Sequence, residues 1–373
     1  MSQSGGCHPQ PVQILGLGRY LPRRVVPSEE LELRFDRDRP AGWIAEAQGV
    51  RERRWVDDET ASLMGAEAAR EALAGAGLEP GQLSLIINAS GTTEQAIPDG
   101  APLLQRQLGI ERSGIACMTI HTTCLSFLAA LDVAGSLLST GRFGTILIVS
   151  AEITSCALNF AEIESSTLFG DGAAAAVLTR TPAGEASCIE AARFETYGEG
   201  AYHTQVPGGG TRLHPNRADV RPEDNLFHMD GKQVFRLALT HGPGFVQRLR
   251  ADLGVDSLDG VDVVIPHQSS KRALRAHPRV LGVAAERIEW TLETLGNCVA
   301  ASIPLTLYQA VDSGRLRRGG RALLFGTGDE VALNRRIVSM AGVGQVMSTP
   351  SVRHTAAVIQ RCRSRGRFRY RCR

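Results

Sequence analysis

Cys124 stands where a polar loop changes into an apolar helix, a position that can make a thiol reactive. The chain reads His121-Thr-Thr-Cys124 and then continues as Leu-Ser-Phe-Leu-Ala-Ala-Leu131. A free thiol titrates near about 8.5, and the positive end of a helix favours the thiolate. The first N–H groups of such a helix can also bind an oxyanion. Cys124 is therefore a candidate nucleophile, although a lone buried cysteine is more often a structural core residue.

Two other polar residues occupy positions where active sites often form. His267 follows the apolar run Val264-Ile-Pro266, and α/β active sites collect just past the C-terminal ends of such strands. Asn297 follows Gly296 in a turn directly before another helical run. Taken singly, a histidine of this kind is usually structural and a Gly-Asn pair is usually only a turn. Three such placements in one chain favour a catalytic interpretation.

The elements that must position these residues alternate between strands and helices, which predicts an α/β fold with mixed or mostly parallel sheets. Short apolar and β-branched runs predict strands at Leu83–Ser90, Thr145–Ser150, Ala174–Leu178, Val261–Ile265 and Arg321–Phe325. Helical spacing is present at Thr60–Ala76 and Gly244–Leu253. The Cys124 helix is apolar on nearly every side, so we expect it at the centre of a layered structure.

A weak internal repeat indicates two similar halves related by a pseudo-twofold axis. The Cys124 helix is followed by the strand at 145–150, and a helix at 300–312 is followed by the strand at 321–325. Each half also contains Phe-Gly-x-Gly, at Phe169–Gly172 and Phe325–Gly328. The segment Tyr197–Asn225 is rich in Pro, Gly and charge, and we expect it to be the loop region that joins the halves.

Composition is that of an ordinary globular enzyme. The 373 residues are 43% apolar and 21% charged, enough for a large core without disulfides. The eight cysteines are scattered, without a disulfide framework and without zinc-ligand spacing to the histidines, so we expect reduced thiols, no metal and a cytoplasmic location. No signal-peptide pattern opens the sequence and no run of about 18 apolar residues occurs, so we expect no membrane partner.

The C-terminal residues differ from the rest of the chain. Residues 343–373 contain eight arginines and no acid, so the preceding residues have a formal net charge of −6 although the whole chain has +2. Such a stretch is either a nucleic-acid or anionic-surface tail, or an unstructured extension or altered reading frame. Because the remaining chain is acidic and has no basic stripe, we favour an unstructured extension or an altered reading frame over a binding tail, and we expect no nucleic-acid partner.

Two glycine-rich stretches resemble nucleotide-binding loops only superficially. Gly16-Leu-Gly18 lacks the third glycine and the later acidic residue of a dinucleotide site, so we interpret it as a turn. Gly208-Gly-Gly210 lacks the Lys-Ser/Thr of a phosphate loop, and we expect it to be a flexible loop.

Several separated motifs, from residue 12 to about residue 341, together resemble β-ketoacyl-ACP synthase III, a family of the thiolase superfamily. Cys124, His267 and Asn297 resemble its Cys-His-Asn triad. The remaining motifs are Trp43-Ile44 with Gly49–Arg53, Phe169-Gly-Asp-Gly-Ala-Ala-Ala-Ala-Val177, Met229-Asp-Gly231 with Val234-Phe235, Pro266-His-Gln268, and Gly296-Asn-Cys-Val-Ala-Ala-Ser-Ile-Pro304. The resemblance implies an αβαβα thiolase-like fold.

The resemblance also implies a two-step reaction without a cofactor. Cys124 accepts an acyl group from acyl-CoA, and a malonyl thioester then loses CO2 and condenses with it. His267 and Asn297 stabilise the enolate, and the backbone amides of Cys124 and Thr327 form the oxyanion hole. The family implies acyl-CoA and acyl carrier protein as partners, in fatty-acid or specialised-metabolite biosynthesis.

For substrate binding the resemblance implies three further residues. Trp43 would stack on the adenine of CoA, and Arg272 belongs to the histidine segment that contacts substrate. Ile97 would cross the interface of a homodimer and close the partner's acyl pocket.

Some positions depart from the family pattern. Ser270 replaces an asparagine, Ala47 replaces an arginine that often holds CoA, and Thr122–Phe127 differs from the small-residue pattern of fatty-acid enzymes. The triad is intact, so a longer acyl chain or a specialised-metabolite role is as compatible with these residues as the usual acetyl group.

The expected domains are an N-terminal extension (1–11), a half with the nucleophile (12–190), a half with His and Asn (191–341) and the Arg-rich tail (342–373). The closest alternative function is an acyltransferase or thioesterase of the same fold that forms no C–C bond. A papain-like hydrolase fits poorly with the repeat and the cytoplasmic composition, and a noncatalytic partner would not need all three triad residues.

Overall fold

The structure, a computed structural model, describes residues 9–35, 39–327 and 333–340, with only the backbone described for Thr327 and residues 333–340. The first eight residues, Gly328 of the second Phe-Gly-x-Gly and the Arg-rich tail lie outside the described residues.

The strands of the described residues follow in chain order. They are β1 Val12–Tyr20, β2 Arg24–Pro27, β3 Glu52–Trp55, β4 Leu85–Asn88, β5 Ala116–Thr119, β6 Thr145–Glu152, β7 Gly172–Arg180, β8 Cys188–Glu195, β9 Thr204–Gln205, β10 His228–Met229, β11 Val263–Pro266, β12 Gly320–Thr327 and β13 Leu333–Met340.

The α-helices occupy the intervals between these strands. They are α1 Ser28–Glu32, α2 Trp43–Gln48, α3 Ala61–Ala76, α4 Gly100–Gln107, α5 Ser126–Ser139, α6 Ile163–Ser166, α7 Gly231–Leu253, α8 Lys271–Leu281, α9 Leu292–Leu295 and α10 Ser302–Asp312.

Two mixed sheets form the framework. The first has the order β1-β7-β6-β4-β5, in which β6, β4 and β5 run parallel and β7 is antiparallel to both of its neighbours. The second has the order β11-β12-β13-β8, in which only β11 and β12 are parallel. The expectation of mixed or mostly parallel sheets is confirmed in its mixed form.

The central helices α5 and α10 lie between the two sheets. Alternate side chains of both sheets, such as Ile146 in β6 and Leu324 in β12, join these helices in one buried cluster. The opposite face of the first sheet packs on α3 and α4, and that of the second sheet packs on α7 and α8. Strands buried on both faces read as continuous apolar runs, which is why they were visible in the sequence. The expected αβαβα layering is confirmed.

The change from the first sheet to the second occurs before the expected boundary at 190/191. Strand β8 starts at Cys188 and pairs with β13 of the second sheet, whereas β7 ends at Arg180. Residues 181–187 therefore link the sheets. The segment 197–225 contains the two-residue strand β9 and short 3-10 turns.

The interpretation of Gly16-Leu-Gly18 as a turn is wrong, because these residues lie within β1. The glycines allow close packing of α3 on the strand: a Cβ on Gly16 would lie 2.0 Å from the Ala72 carbonyl oxygen, and one on Gly18 would lie 2.1 Å from that of Ala68. Glycine in a strand often marks such close backbone approach.

The prediction that a helix starts at Gly244 is also wrong at its N-terminal end. Helix α7 starts at Gly231 and contains Pro243 in its interior. The Asp230 side chain caps it by accepting a hydrogen bond from the Gln233 N–H, and Phe245 and Leu249 anchor its C-terminal half in the core. This cap and packing outweigh the unfavourable effect of the proline.

Candidate active site

Cys124 lies in a sharp turn at the start of α5. Thr123 has a left-handed backbone with φ of 45°, and residues Thr123–Leu125 form one 3-10 turn before the helix begins. The Ser126 hydroxyl accepts from the Thr122 N–H at 2.9 Å and donates to the Thr123 carbonyl at 2.7 Å. These bonds hold the turn, which places Cys124 at the helix N-terminus with only 6% of its surface exposed. The sequence prediction of this placement is confirmed.

Asn297 precedes a turn of the same kind at the start of α10. Val299 also has φ of 45°, and the Cys298 N–H donates to the Ser302 hydroxyl at 3.0 Å. The Asn297 Oδ1 accepts from the Val299 N–H at 2.9 Å and from the Ser302 hydroxyl at 3.4 Å. Because Oδ1 is held by these donors, the side-chain amide has a fixed orientation and its Nδ2 remains a hydrogen-bond donor.

The Phe169-Gly-Asp-Gly172 segment fixes the backbone beside Asn297. The Asn297 N–H donates to the Leu168 carbonyl, and the Gly170 N–H donates to the Asn297 carbonyl. Asp171, which is fully buried, accepts bonds from Thr154 and Ser155 on the neighbouring loop. This motif therefore acts as a support for the Asn297 turn.

His267 directly follows β11 and is 2% exposed. The backbone N–H of His267 donates to the Phe325 carbonyl of β12 at 2.7 Å, which fixes the position of its backbone. Burial lowers the pKa of His267 to about 4, so the imidazole is neutral near pH 7. Its buried Nδ1 has no hydrogen-bond partner within the described residues. A neutral imidazole retains one N–H donor for a substrate oxygen.

Two glycines mark where these three segments meet. A Cβ on Gly326 would lie 2.8 Å from Leu125 Cδ2 and 3.0 Å from His267 Cβ, so His267 faces the Cys124 turn across this residue. A Cβ on Gly91 would lie 2.6 Å from Val299 Cγ1 and 3.1 Å from the Thr123 carbonyl oxygen. The structure thus brings the segments of Cys124, His267 and Asn297 together between the two halves.

Thr327, the second expected member of the oxyanion hole, is the last residue of β12. Its backbone pairs with Leu333 of β13, and β12 contacts the Thr123–Leu125 turn. Its backbone therefore belongs to the strand that lies against the Cys124 turn, and its role in an oxyanion hole stays a prediction.

The three residues expected to bind substrate have different environments. Trp43 is 8% exposed, and the Arg39 guanidinium lies 4.5 Å from its ring centre. Arg272 in α8 lies 4.0 Å from the ring centre of Phe235. It lines an open groove of about 500 Å³ with Lys232, Phe235, Arg236, Leu239 and Thr240. Ile97 is 87% exposed, on the same loop as Gln95 and Ala96, which line a cavity of about 100 Å³.

Sequence reasoning missed three supporting residues. Ser126 and Ser302 hold the two turns, and their signal was the repeat itself, since each is the serine that starts a helix after the turn. Glu152, an acidic residue that ends an apolar strand, is fully buried beside Gly91. An ionisable residue that continues a buried strand is unusual enough to have been noticed.

No group of three or more His, Cys, Asp or Glu side chains suited to a metal ion occurs within residues 9–35 and 39–327. None of the helices in the described part of the chain has the length and apolar character needed to cross a bilayer.

Comparisons with known proteins identify one family. A model of 3-oxoacyl-[acyl-carrier-protein] synthase III matches residues 118–198, and a model of the C-terminal part of that enzyme matches residues 254–334. The first range contains Cys124, and the second contains His267 and Asn297.

Two relatives match over most of their length. β-Ketoacyl-[acyl-carrier-protein] synthase III of Syntrophomonas wolfei is 32% identical, covering 85% of this chain and 94% of that protein. Acetoacetyl-CoA synthase NphT7 of a Streptomyces species is 33% identical, covering 87% and 98% respectively. The crystal structure of 3-oxoacyl-[acyl-carrier-protein] synthase III from Aquifex aeolicus superposes with a TM-score of 0.78 at 30% identity, covering 88% of this chain and 99% of that one.

Proposed function

The chain belongs to the 3-oxoacyl-[acyl-carrier-protein] synthase III family, and from that premise we propose that Cys124, His267 and Asn297 perform its condensing reaction. The protein is an acyl-transferring, condensing enzyme. One observation supports the assignment of residues above all others. The turns of Cys124 and Asn297 meet at Gly91, and His267 faces the Cys124 turn across Gly326.

In the first step the Cys124 thiolate attacks the carbonyl carbon of an acyl-CoA. The bond from this carbon to the CoA sulfur breaks after the bond to Cys124 Sγ forms, and CoA leaves as its thiolate. Exchange of one thioester for another changes little in bond energy, so a thiol suits this reversible transfer. The N–H groups of Cys124 and Thr327 donate to the tetrahedral oxyanion, where charge develops.

In the second step a malonyl thioester enters and its bond to the terminal carboxylate breaks. CO2 leaves, and the electron pair remains as an enolate. Neutral His267 and the Nδ2 of Asn297 donate hydrogen bonds to the enolate oxygen. The enolate carbon attacks the acyl carbon, the bond to Cys124 Sγ breaks, and the products are a 3-oxoacyl thioester and the restored thiolate. No cofactor enters either step.

The groove around Arg272 supports an anionic substrate carrier. Lys232, Arg236 and Arg272 give this groove a positive charge, and α8 begins only four residues after His267. CoA and the phosphopantetheine arm of an acyl carrier protein both contain phosphate, which arginine binds well. The two relatives are named a β-ketoacyl-[acyl-carrier-protein] synthase and an acetoacetyl-CoA synthase, so either carrier of the malonyl group fits the proposal.

The proposal also includes the oligomeric state and the location: the protein is a homodimer in the cytoplasm. The exposed Ile97 is the kind of large apolar residue that a second subunit would cover. In this assembly Ile97 closes the acyl pocket of the partner subunit. The cytoplasm is a reducing compartment, which keeps Cys124 as a free thiol.

Separate assays of the two steps test the division of labour within the triad. Cys124→Ala should abolish both the acyl adduct, measured by intact-mass spectrometry with a panel of acyl-CoAs, and all condensation. His267→Ala and Asn297→Ala should still form the adduct. Both should release labelled CO2 from a malonyl thioester about 10²–10³-fold more slowly, because the enolate oxygen has lost one donor.

Two results would contradict the proposal. If both variants lose acylation as completely as Cys124→Ala, then His267 acts as a base for the thiol and the assigned roles are wrong. If the wild-type protein acylates but releases no CO2 from malonyl-CoA or malonyl acyl carrier protein, the same-fold acyltransferase or thioesterase function replaces condensation.

A further inference from the structure

Glu152 is a buried carboxylate close to the active site that the reaction steps do not use. It is the last residue of β6 and has no exposed surface. One oxygen accepts from the Gly91 N–H at 2.6 Å, and the other accepts from the Thr92 N–H at 2.8 Å and the Thr92 hydroxyl at 2.7 Å. The backbone N–H of Ala300 also favours the charged form of this carboxylate. Glu152 therefore holds a loop of the first half, and its strand lies against the Val299–Ala301 turn of the second half.

Both segments beside Glu152 lie next to active-site residues. Ala300 follows Val299, whose N–H holds the Oδ1 of Asn297. Gly91 is packed between the Val299 side chain and the Thr123 carbonyl, one residue before Cys124. A displacement of the carboxylate would consequently move the Asn297 turn relative to the Cys124 turn.

We propose that Glu152 is a positioning residue for the condensation step, which holds the Gly91–Thr92 loop against the Val299–Ala301 turn so that Asn297 donates correctly to the enolate oxygen. This inference rests on the proposed role of Asn297. Glu152 touches neither substrate nor the reacting atoms. It acts on the geometry of Asn297 through the backbone of residues 299 and 300.

The four groups around the carboxylate explain why it must be ionised. Three are N–H groups that can only donate, and the Thr92 hydroxyl also donates to it. A protonated carboxyl has less capacity to accept these bonds. Burial raises the pKa of Glu152 to about 7, so protonation of this group occurs near neutral pH.

The titratable groups around Glu152 include Cys298, Asp171, His121 and His267, and Cys124 lies in the turn that Gly91 contacts. Burial, with charge from Asp171 and Glu152, raises the pKa of Cys298 well above its usual range. Nε2 of His121 lies 3.1 Å from the Gly91 carbonyl oxygen, on the loop that Glu152 holds. The pKa of His267 is about 4, so it does not titrate near pH 7. CO2 release should therefore rise with pH through about pH 7 as Glu152 loses its proton.

Glu152→Gln, measured in the full-length protein, tests this role. The variant should form the acyl adduct on Cys124 at close to the wild-type rate. Its CO2 release from malonyl-CoA should fall by about 100-fold in kcat with little change in KM, because misplacement of a catalytic group by about 1 Å costs that much. The rise in CO2 release near pH 7 should disappear, since glutamine does not titrate.

Milder variants keep the test valid if Glu152→Gln folds poorly. Thr92→Val removes one hydrogen bond to the carboxylate and should slow CO2 release, whereas Thr92→Ser retains the hydroxyl and should restore it. His121→Gln removes the other titratable group bonded to the Gly91 loop and should keep the rise near pH 7.

The inference is overturned if Glu152→Gln and Thr92→Val release CO2 at the wild-type rate. It is equally overturned if both variants lose acylation and CO2 release in the same proportion, since this indicates a general structural role. The wild-type protein tests the proposed function separately. If it forms the adduct but releases no CO2, the condensing function is wrong, and the proposed role of Glu152 is wrong with it.

Discussion

Thr123 and Val299 are β-branched residues with left-handed backbones, and both border the active site. This conformation costs of order 1–2 kcal/mol for a residue with a Cβ. The hydrogen bonds of Ser126 and Ser302 stabilise the two turns locally. The cost is consistent with a functional turn, because each one places a reactive or donor side chain at a helix start.

At the same scale, the burial of neutral His267 predicts a pH-dependent stability. The pKa of His267 falls from about 6.5 in the unfolded chain to about 4 in the folded one, so the unfolded state binds the extra proton between these values. Stability is therefore fully present above about pH 6.5 and is lost as pH falls toward 4. Relative to His267→Asn, the wild-type protein should lose about 2 kcal/mol of unfolding free energy between about pH 8 and about pH 5.

Urea unfolding of both proteins at the two pH values measures this difference. Glu152 contributes in the opposite direction, because its raised pKa makes the folded state bind the extra proton between about 4.5 and 7. Since both proteins contain Glu152, its contribution cancels in the comparison. An equal stability difference at both pH values would show that His267 is not buried as a neutral base.

At the scale of elements, the pseudo-twofold relates two strand ends and two turns. Strands β6 and β12 each have eight residues and end at Glu152 and Thr327 respectively. The β6 strand contacts the Val299–Ala301 turn, and β12 contacts the Thr123–Leu125 turn. The end of each strand thus lies against the turn of the opposite half. Strand β6 presents the Glu152 carboxylate near the Asn297 turn. In the proposal above, β12 presents the Thr327 backbone amide near the Cys124 turn.

Gly326 in β12 makes this arrangement testable. Gly326→Ala should slow CO2 release by about 100-fold, because the new methyl group collides with Leu125 and His267 and moves them apart. Overpacking of this kind should also cost about 1–3 kcal/mol of stability. The matched control is Gly81→Ala, which meets nothing within 4 Å, and it should leave CO2 release and melting temperature unchanged. If Gly326→Ala retained wild-type turnover, the close packing of His267 on the Cys124 turn would not be needed for catalysis.

At the scale of the whole molecule, two features of the first half are relevant to assembly. Strand β5 is an edge of its sheet, and Ile97 lies on the loop before α4 with most of its surface exposed. Edge strands offer backbone groups for pairing with another chain. Together these features favour a second subunit at this side of the molecule, in agreement with the proposed homodimer.

Ile97→Phe should shorten the longest acyl chain that the enzyme accepts, because a larger side chain from the partner fills the pocket. The measurement is the mass of the Cys124 adduct across acyl-CoAs of increasing length, with sedimentation equilibrium to determine the oligomeric state. Leu33→Phe is a suitable control, since Leu33 is 82% exposed and lies on a different loop. A fully active monomer, or an unchanged chain-length limit in Ile97→Phe, would contradict this role.

The sequence by itself determined the layered α/β class, the repeat and the triad candidates. Strands buried on both faces and helices apolar on all sides are local patterns, and the residue types of Cys124, His267 and Asn297 are visible without a structure. Their motifs also sufficed to predict the family. Their assigned roles stay predictions for the assays above.

Only the tertiary structure decided which contacts support these residues. The role of Gly16 in packing and the bonds from Gly91 and Thr92 to Glu152 depend on residues far apart in sequence. The start of α7 before Pro243 depended on a cap and on packing that outweigh local propensity. The physical reason is that periodicity reports which face of an element is apolar, whereas hydrogen-bond partners and close approach follow from how the elements meet.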